Sequence, residues 1–171
     1  EYLGRVVRGD LGPSFKIRDF SVNEIILSGL PVSLRLGASA ILLAALIGAA
    51  LGTLAALKQN RAADHLVMAL AMTGIGLPSF VIAPLLTLLF GVYLRWLPVA
   101  GWEAAGSTIL PIAALALPQV AYIARLTRGS MIEVLSANFI RTARAKGVAE
   151  RITVGRHALK AALLPVLSYL G

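Results

Sequence analysis

The residues able to do chemistry in this chain fall into two sets, one charged and one polar. The charged set is a basic run. Arg125, Arg128, Arg141, Arg144, Lys146, Arg151, Arg156 and Lys160 stand between residues 125 and 160 against only Glu133 and Glu150. Guanidinium and ammonium groups at that density hold carboxylates, phosphates or anionic lipid headgroups. The polar set is sparse and lies in apolar surroundings: Thr73, Ser79, Thr87, Gln119 and Tyr122. Within it Ser79, Gln119 and Tyr122 are the candidates for touching a solute that crosses a membrane. No residue constellation for catalysis or for a metal stands out, and no cofactor is expected. The chain has no cysteine, which removes thiol chemistry, disulfides and thiolate metal sites. It also has no GxxxxGK[ST] loop of the kind that cradles nucleotide phosphates.

The elements that must position these residues are apolar. Of the 171 residues 58% are hydrophobic and 14% charged, and the mean hydropathy is +0.82. Ordinary soluble domains are roughly 45–50% apolar and about a quarter charged. The uncharged blocks 36–57, 66–94 and 104–124 each exceed the roughly 20 residues that a helix needs to cross a hydrocarbon core. A fourth apolar stretch opens at Ala161. The net charge of +8 would suggest nucleic acid in a polar chain, but beside these blocks it marks cytoplasmic loops, and no nucleic-acid partner is expected. The fold expected is all-α, a polytopic transmembrane helix bundle.

Lys and Arg set the orientation. The loop 58–65 carries Lys58 and Arg61 against Asp64, and the segment 125–160 is strongly basic. The first 30 residues balance four basic against four acidic side chains, and the loop after the second block has Arg95 and Glu103. This predicts an external segment 1–30, spans over 31–57, 66–94 and 104–124, a cytoplasmic segment 125–160, and the start of a further span at 161–171. The chain reads as the middle of a longer polytopic protein, because it opens on Glu1 and closes inside an apolar stretch.

Within the spans, Ala40, Ala44, Gly48, Gly52 and Ala56 recur every fourth residue, a strip that lets two helix backbones approach. Its partner is either another helix of this chain or a second subunit. Pro78, Pro84, Pro111 and Pro118 each remove a backbone hydrogen bond and bend a membrane helix where neighbours satisfy the freed carbonyl. No Asp, Glu, Lys, Arg or His falls inside the uncharged blocks, although such a residue is the usual mark of ion coupling. A pump built on this chain therefore takes its energy from elsewhere.

In the basic segment, Ser130-Met-Ile-Glu133 has the form of a capping box. It predicts a helix from Met131 to Lys146 with Ile132, Leu135, Phe139 and Ala143 on one side. Arg141, Arg144 and Lys146 crowd its last turn, and Gly147 suits the left-handed residue that ends a helix. A second helical stretch follows from about Ala149 toward Pro165. Such a segment either rests on anionic lipid or docks a cytoplasmic partner.

The run Met131-Ile-Glu-Val-Leu-Ser-Ala-Asn-Phe-Ile-Arg-Thr-Ala-Arg-Ala-Lys-Gly147, with Glu150-Arg151, Arg156-His157-Ala158-Leu159 and Leu164-Pro165, closely resembles the cytoplasmic loop of binding-protein-dependent ABC importer permeases. It is most similar to the dipeptide/oligopeptide branch and to the first permease of its pair. Gly9-Asp10-Leu11-Gly12-Pro13-Ser14, Pro31-Val32-Ser33-Leu34 and Trp96-Leu97-Pro98-Val99-Ala100-Gly101 agree in order. The family's general signature is Glu-Ala-Ala, three residues, then Gly; here Arg141-Thr142-Ala143 precedes Gly147, and Lys160 stands where a later proline falls. The resemblance implies the membrane-spanning subunit of a type I importer, in a bacterial inner membrane, with no catalysis of its own. It implies cytoplasmic ABC ATPase subunits, a second related permease subunit and an external solute-binding protein as partners, besides membrane lipid. It assigns Arg141, Thr142, Ala143, Arg144, Ala145, Lys146, Gly147 and Glu150 to the ATPase-coupling loop. Peptide is the leading cargo; related permeases carry nickel, glutathione or other small solutes. A secondary transporter and a membrane anchor without transport are the readings from other classes.

Overall fold

The computed structural model describes residues 2–17, 19–101 and 104–171, and every named element in it is helical. Glu1, Arg18 and Glu103, which enter the loop charge balance, lie outside the described residues. Two compact units divide the chain, Glu1–Ala38 and Ser39–Gly171.

The first unit holds α1 (Tyr2–Val7), a loop, and the opening turns of α2 (Val22–Leu57). The helix starts at Val22, nine residues before the expected span boundary at 31, because Ser21-Val22-Asn23-Glu24 forms a capping box. Ser21 N–H donates to the Glu24 carboxylate at 2.8 Å, and Glu24 N–H donates to Ser21 Oγ at 3.2 Å. Asn23 ties the preceding loop down by accepting Leu11 N–H at 2.9 Å and donating to the Gly9 carbonyl.

The second unit continues α2 and adds α3 (Ala62–Gly76), α4 (Ser79–Leu86), α5 (Ile109–Leu135), α6 (Asn138–Ala145), α7 (Glu150–Ile152), α8 (Leu159–Ala162) and α9 (Leu164–Leu170). π-helical turns at Thr87–Tyr93 and Thr153–Ala158 extend α4 and join α7 to α8. By length and composition α2 and α5 can each cross a membrane. The block expected as one span over 66–94 carries two helices bent by 107°, the form of a broken span or a re-entrant loop. Leu77 and Pro78 are both extended there, since a residue before proline is pushed out of the helical region.

Helix α5 is the hub and touches α3, α4, α8 and α9. It also fills the small-residue strip of α2, which decides that strip's partner in favour of this chain. Ala40, Ala44, Gly48, Gly52 and Ala56 are all buried. A Cβ at Gly48 would stand 2.8 Å from Ile123 Cβ, and one at Gly52 would stand 2.4 Å from the Ala124 carbonyl oxygen. Only glycine admits that approach. One core cluster packs Ala40 and Ala44 with Ala116, Ile123 and Val166; a second packs Ala56 with Met131, Ile140, Ala158 and Ala162.

The capping box expected at Ser130–Glu133 does not form. Both residues lie inside α5, where backbone N–H groups already bond within the helix and no terminus needs a cap. The helix ends at Leu135, with Ser136 Oγ donating to the Glu133 carbonyl at 2.7 Å and Ala137 extended before α6. That interruption resets the helical phase. Ile140, not Phe139, is the buried residue of α6, and Phe139 is half exposed.

Candidate functional site

Helix α6 and the turn after it carry seven of the eight residues expected in the coupling loop. The turn is a two-bond helix terminus. Gly147 N–H donates to the Arg144 carbonyl at 3.0 Å, and Val148 N–H donates to the Ala143 carbonyl at 3.1 Å. That pattern needs a left-handed residue at its corner, and Gly147 has φ +75°. Arg144 then reaches across the corner to Glu150, the eighth residue, through Nε to Oε2 at 3.1 Å and Nη2 to Oε1 at 2.7 Å. The hydrogen bonds from Arg144 hold the Glu150 carboxyl below its ordinary value, and Glu150 raises Arg144 in return. Arg141, Thr142, Ala145 and Lys146 are exposed and Ala143 is half-buried. Thr142 Oγ1 donates to the Asn138 carbonyl within its own helix, at 2.9 Å. Beneath this exposed face Ile140 is fully buried against Ala56, Met131, Ala158 and Ala162. The loop is therefore a rigid knob, with a basic outer face and one aliphatic anchor.

A second ion pair ties the same end of the bundle together. Asp64, in the first turn of α3, is 1% exposed and receives Arg128 of α5 through two bonds, Nε to Oδ1 at 2.5 Å and Nη2 to Oδ2 at 2.7 Å. Asn60 N–H, from the left-handed corner of the α2–α3 turn, adds a third bond at 2.9 Å. The Arg128 hydrogen bond outweighs burial and holds the Asp64 carboxyl at about 2. In the sequence Asp64 and Arg128 stand out only as loop charges, since a separation of 64 positions hides their pairing.

The three candidate path residues do not converge. Ser79 is the exposed first residue of α4, beside the bend. Gln119 and Tyr122 stand on one face of α5, and Tyr169 of α9 joins them. Tyr169 Oη donates to Gln119 Oε1 at 2.5 Å, and its ring stacks on Tyr122 with centroids 4.4 Å apart. Thr73 and Thr87 donate back to carbonyls of their own helices. Two clefts flank α5. The larger, about 600 Å³, is walled by aliphatic residues such as Leu43, Leu70, Leu86 and Leu117, with Thr73 its one polar side chain. The smaller, about 340 Å³, lies between α5 and Pro165 and is lined by Tyr122, Arg125, Ser130 and Glu133. Ser79 lines neither.

Among the described residues no group of three or more His, Cys, Asp or Glu is placed to hold a metal.

Residues 48–171 match the family described as binding-protein-dependent transport system inner membrane component. The chain is 58% identical over 172 residues to the oligopeptide transport system permease protein OppB of Escherichia coli (strain K12), covering 99% of this chain and 56% of that protein. It is 52% identical to the protein of the same name from Haemophilus influenzae, with the same coverage. It is 45% identical over 170 residues to the dipeptide transport system permease protein DppB of Bacillus subtilis (strain 168), covering 99% of this chain and 55% of that one. The chain thus spans somewhat more than half the length of these relatives.

Proposed function

Because this chain belongs to the family of inner membrane components of binding-protein-dependent transport systems, we propose that it is the central part of a permease subunit in an ATP-driven peptide importer. In this reading α2, the bent α3–α4 pair and α5 span the inner membrane, and the segments 1–30 and 95–108 face outward. The turn 58–65 and the segment 125–160 face the cytoplasm. The chain hydrolyses nothing itself. Cytoplasmic ATPase subunits supply the energy, a second related permease completes the path, and an external solute-binding protein delivers the cargo. Arg141, Thr142, Ala143, Arg144, Ala145, Lys146, Gly147 and Glu150 form the contact with an ATPase subunit, and Gln119 and Tyr122 belong to the path, with Ser79 apart from them at the α3–α4 bend.

The observation that carries the proposal is the build of the α6 turn. A knob that is exposed outside, closed by two backbone bonds and an ion pair, and anchored inside by Ile140 can be pushed as a unit. A displacement of α6 by a closing ATPase pair would pass through Ile140 to Met131 of α5 and Ala56 of α2. A segment merely resting on lipid would not need a buried anchor or a fixed corner. Peptide is the cargo favoured by the names of the most similar proteins, oligopeptide and dipeptide permeases.

The test is uptake of a labelled dipeptide by cells carrying the full-length protein, with and without its ATPase partner. Uptake that requires the partner supports the whole reading. Partner-dependent uptake of nickel, glutathione or another small solute alone keeps the mechanism and changes the cargo. Uptake indifferent to the ATPase removes the proposal and favours a secondary transporter.

A further inference from the structure

The two faces of α5 differ in kind. Leu117, Val120, Ala121 and Ala124 turn toward the apolar cleft. Gln119, Tyr122, Leu126, Gly129 and Glu133 follow one another at steps of three or four residues, which places them on a single opposite face. Gln119 and Tyr122 stand inside the uncharged block 104–124. The Gln119 carbonyl oxygen accepts from Tyr169, but its amide nitrogen donates to nothing among the described residues. An amide left like that against hydrocarbon is strongly disfavoured, because nothing there replaces its lost hydrogen bonds to water. This face therefore needs a polar partner beyond the described residues, and water or a polar solute in the path would supply one.

Further toward the end of α5 the same cleft holds two charges of opposite sign. Arg125 and Glu133 both line it and both are exposed. Among the described residues neither takes part in an ion pair; the pairs present are Asp64–Arg128 and Arg144–Glu150. Eight residues of α-helix separate them, about 12 Å along the axis. An extended peptide of about three or four residues has that reach. A guanidinium grips a terminal carboxylate with two parallel bonds, and a carboxylate pairs with a terminal ammonium.

We propose that the cleft lined by Tyr122, Arg125, Ser130 and Glu133, continued upward by Gln119 and Tyr169, is a solute-binding wall of the path that holds short zwitterionic peptides. Arg125 takes the C-terminal carboxylate and Glu133 takes the N-terminal ammonium. The larger apolar cleft on the other side of α5 is not the path. This inference rests on the importer reading.

These 171 residues contain no cysteine, so single cysteines report on each face once any cysteine in the rest of the full-length subunit has been replaced. Gly129→Cys sits on the polar face, where an added side chain meets nothing within 4 Å; Ser130→Cys is a second site in the same cleft, and Leu117→Cys marks the apolar side. The full-length permease, assembled with its partner subunits in nanodiscs, is treated with a charged, membrane-impermeant thiosulfonate. Gly129→Cys and Ser130→Cys should label quickly and Leu117→Cys hardly at all. Millimolar trialanine should slow labelling of the first two several-fold, whereas N-acetyl-trialanine amide should not. Adding Arg125→Gln or Glu133→Gln should abolish the protection. Equal labelling of the two faces, no protection by trialanine, or equal protection by the blocked analogue would each overturn the assignment. Uptake assayed in parallel separates the two claims: ATPase-driven uptake without protection sinks the site alone. Protection without ATPase-driven uptake keeps the site and sinks the importer reading.

Discussion

Asp64–Arg128 and Arg144–Glu150 are the same chemical object in two settings. Each is a two-bond arginine–carboxylate pair, and each bridges helical elements. Asp64 is 1% exposed and takes a third bond from Asn60 N–H, whereas the Glu150 side chain is 60% exposed and takes only the two from Arg144. The Asp64 carboxylate was carried out of water with its lone pairs satisfied, so losing Arg128 strands a charge in the protein, while losing Asp64 leaves a guanidinium that is a quarter exposed without its partner. The second pair stays hydrated, and water replaces whichever partner is lost. The buried pair therefore sets the geometry of the α3–α5 junction, while the exposed pair trims a corner that backbone bonds already hold.

The largest break in that comparison is Asp64→Ala. It leaves Arg128 unpaired and should lower the stability of the full-length permease by on the order of 3 kcal/mol, read as its melting temperature in detergent. Removing both charges with Arg128→Ala should restore part of the loss; a double variant no better than the single would show that the pair acts through packing alone. Acid gives the same answer by another route. The Asp64 carboxyl titrates at about 2 instead of the ordinary 3.8. Its contribution is complete above about pH 5 and is lost progressively as the pH falls through the lowered value. The Asp64→Asn variant should lack that part of the acid transition.

Next in size is Gly52→Ala, beside Arg128 on the α2–α5 contact. The new methyl meets the Ala124 carbonyl oxygen at 2.4 Å and Thr127 Cβ at 2.7 Å, and overpacking of this kind costs about 1–3 kcal/mol. Gly48→Ala should cost somewhat less, because its closest approaches, Ile123 Cβ and Cγ2 at 2.8 Å and the Val120 carbonyl oxygen at 3.0 Å, are longer. Gly129→Ala, which meets nothing, is the control. Equal melting temperatures for all three would mean that the helices separate freely.

The legible part of this fold was periodic or local. Uncharged blocks announced helices, four-residue spacing of small residues announced a close helix contact, and Gly147 after a basic turn announced its corner. Two local patterns still misled. Ser-x-x-Glu occurs at 21–24 and at 130–133, and the pattern caps only the first, because α5 runs straight through the second. Assuming one helix over 131–146 assigned its apolar face to Phe139; the break at Ser136–Ala137 turned that face to Ile140. Contacts between distant residues were silent. Nothing near Asp64 names Arg128, and nothing near Gln119 or Tyr122 names Tyr169 fifty positions on. A carboxylate and an arginine both just outside uncharged blocks were the one available hint of the buried pair.

The smaller effects lie at the exposed corner. Gly147→Val forces a branched side chain into φ +75°, a strain of about 1–2 kcal/mol. Because the strain is confined to the turn, membrane insertion should be normal while transport per ATP hydrolysed falls. Normal coupling by this variant would remove the corner from the mechanism. The smallest effect belongs to Arg144→Gln. The two backbone bonds from Gly147 and Val148 use carbonyls and survive the change, so melting should not move. What moves is the charge state. With Arg144 present the Glu150 carboxyl sits below its ordinary 4.5, so the pair is complete above that value and is lost as pH falls through the lowered one. Without Arg144 the Glu150 carboxyl should titrate at its ordinary value, which carbon-13 NMR of the labelled carboxyl would read. An unchanged titration would mean that the pair is not populated in solution, and the contrast with Asp64 would then be between a real strut and none.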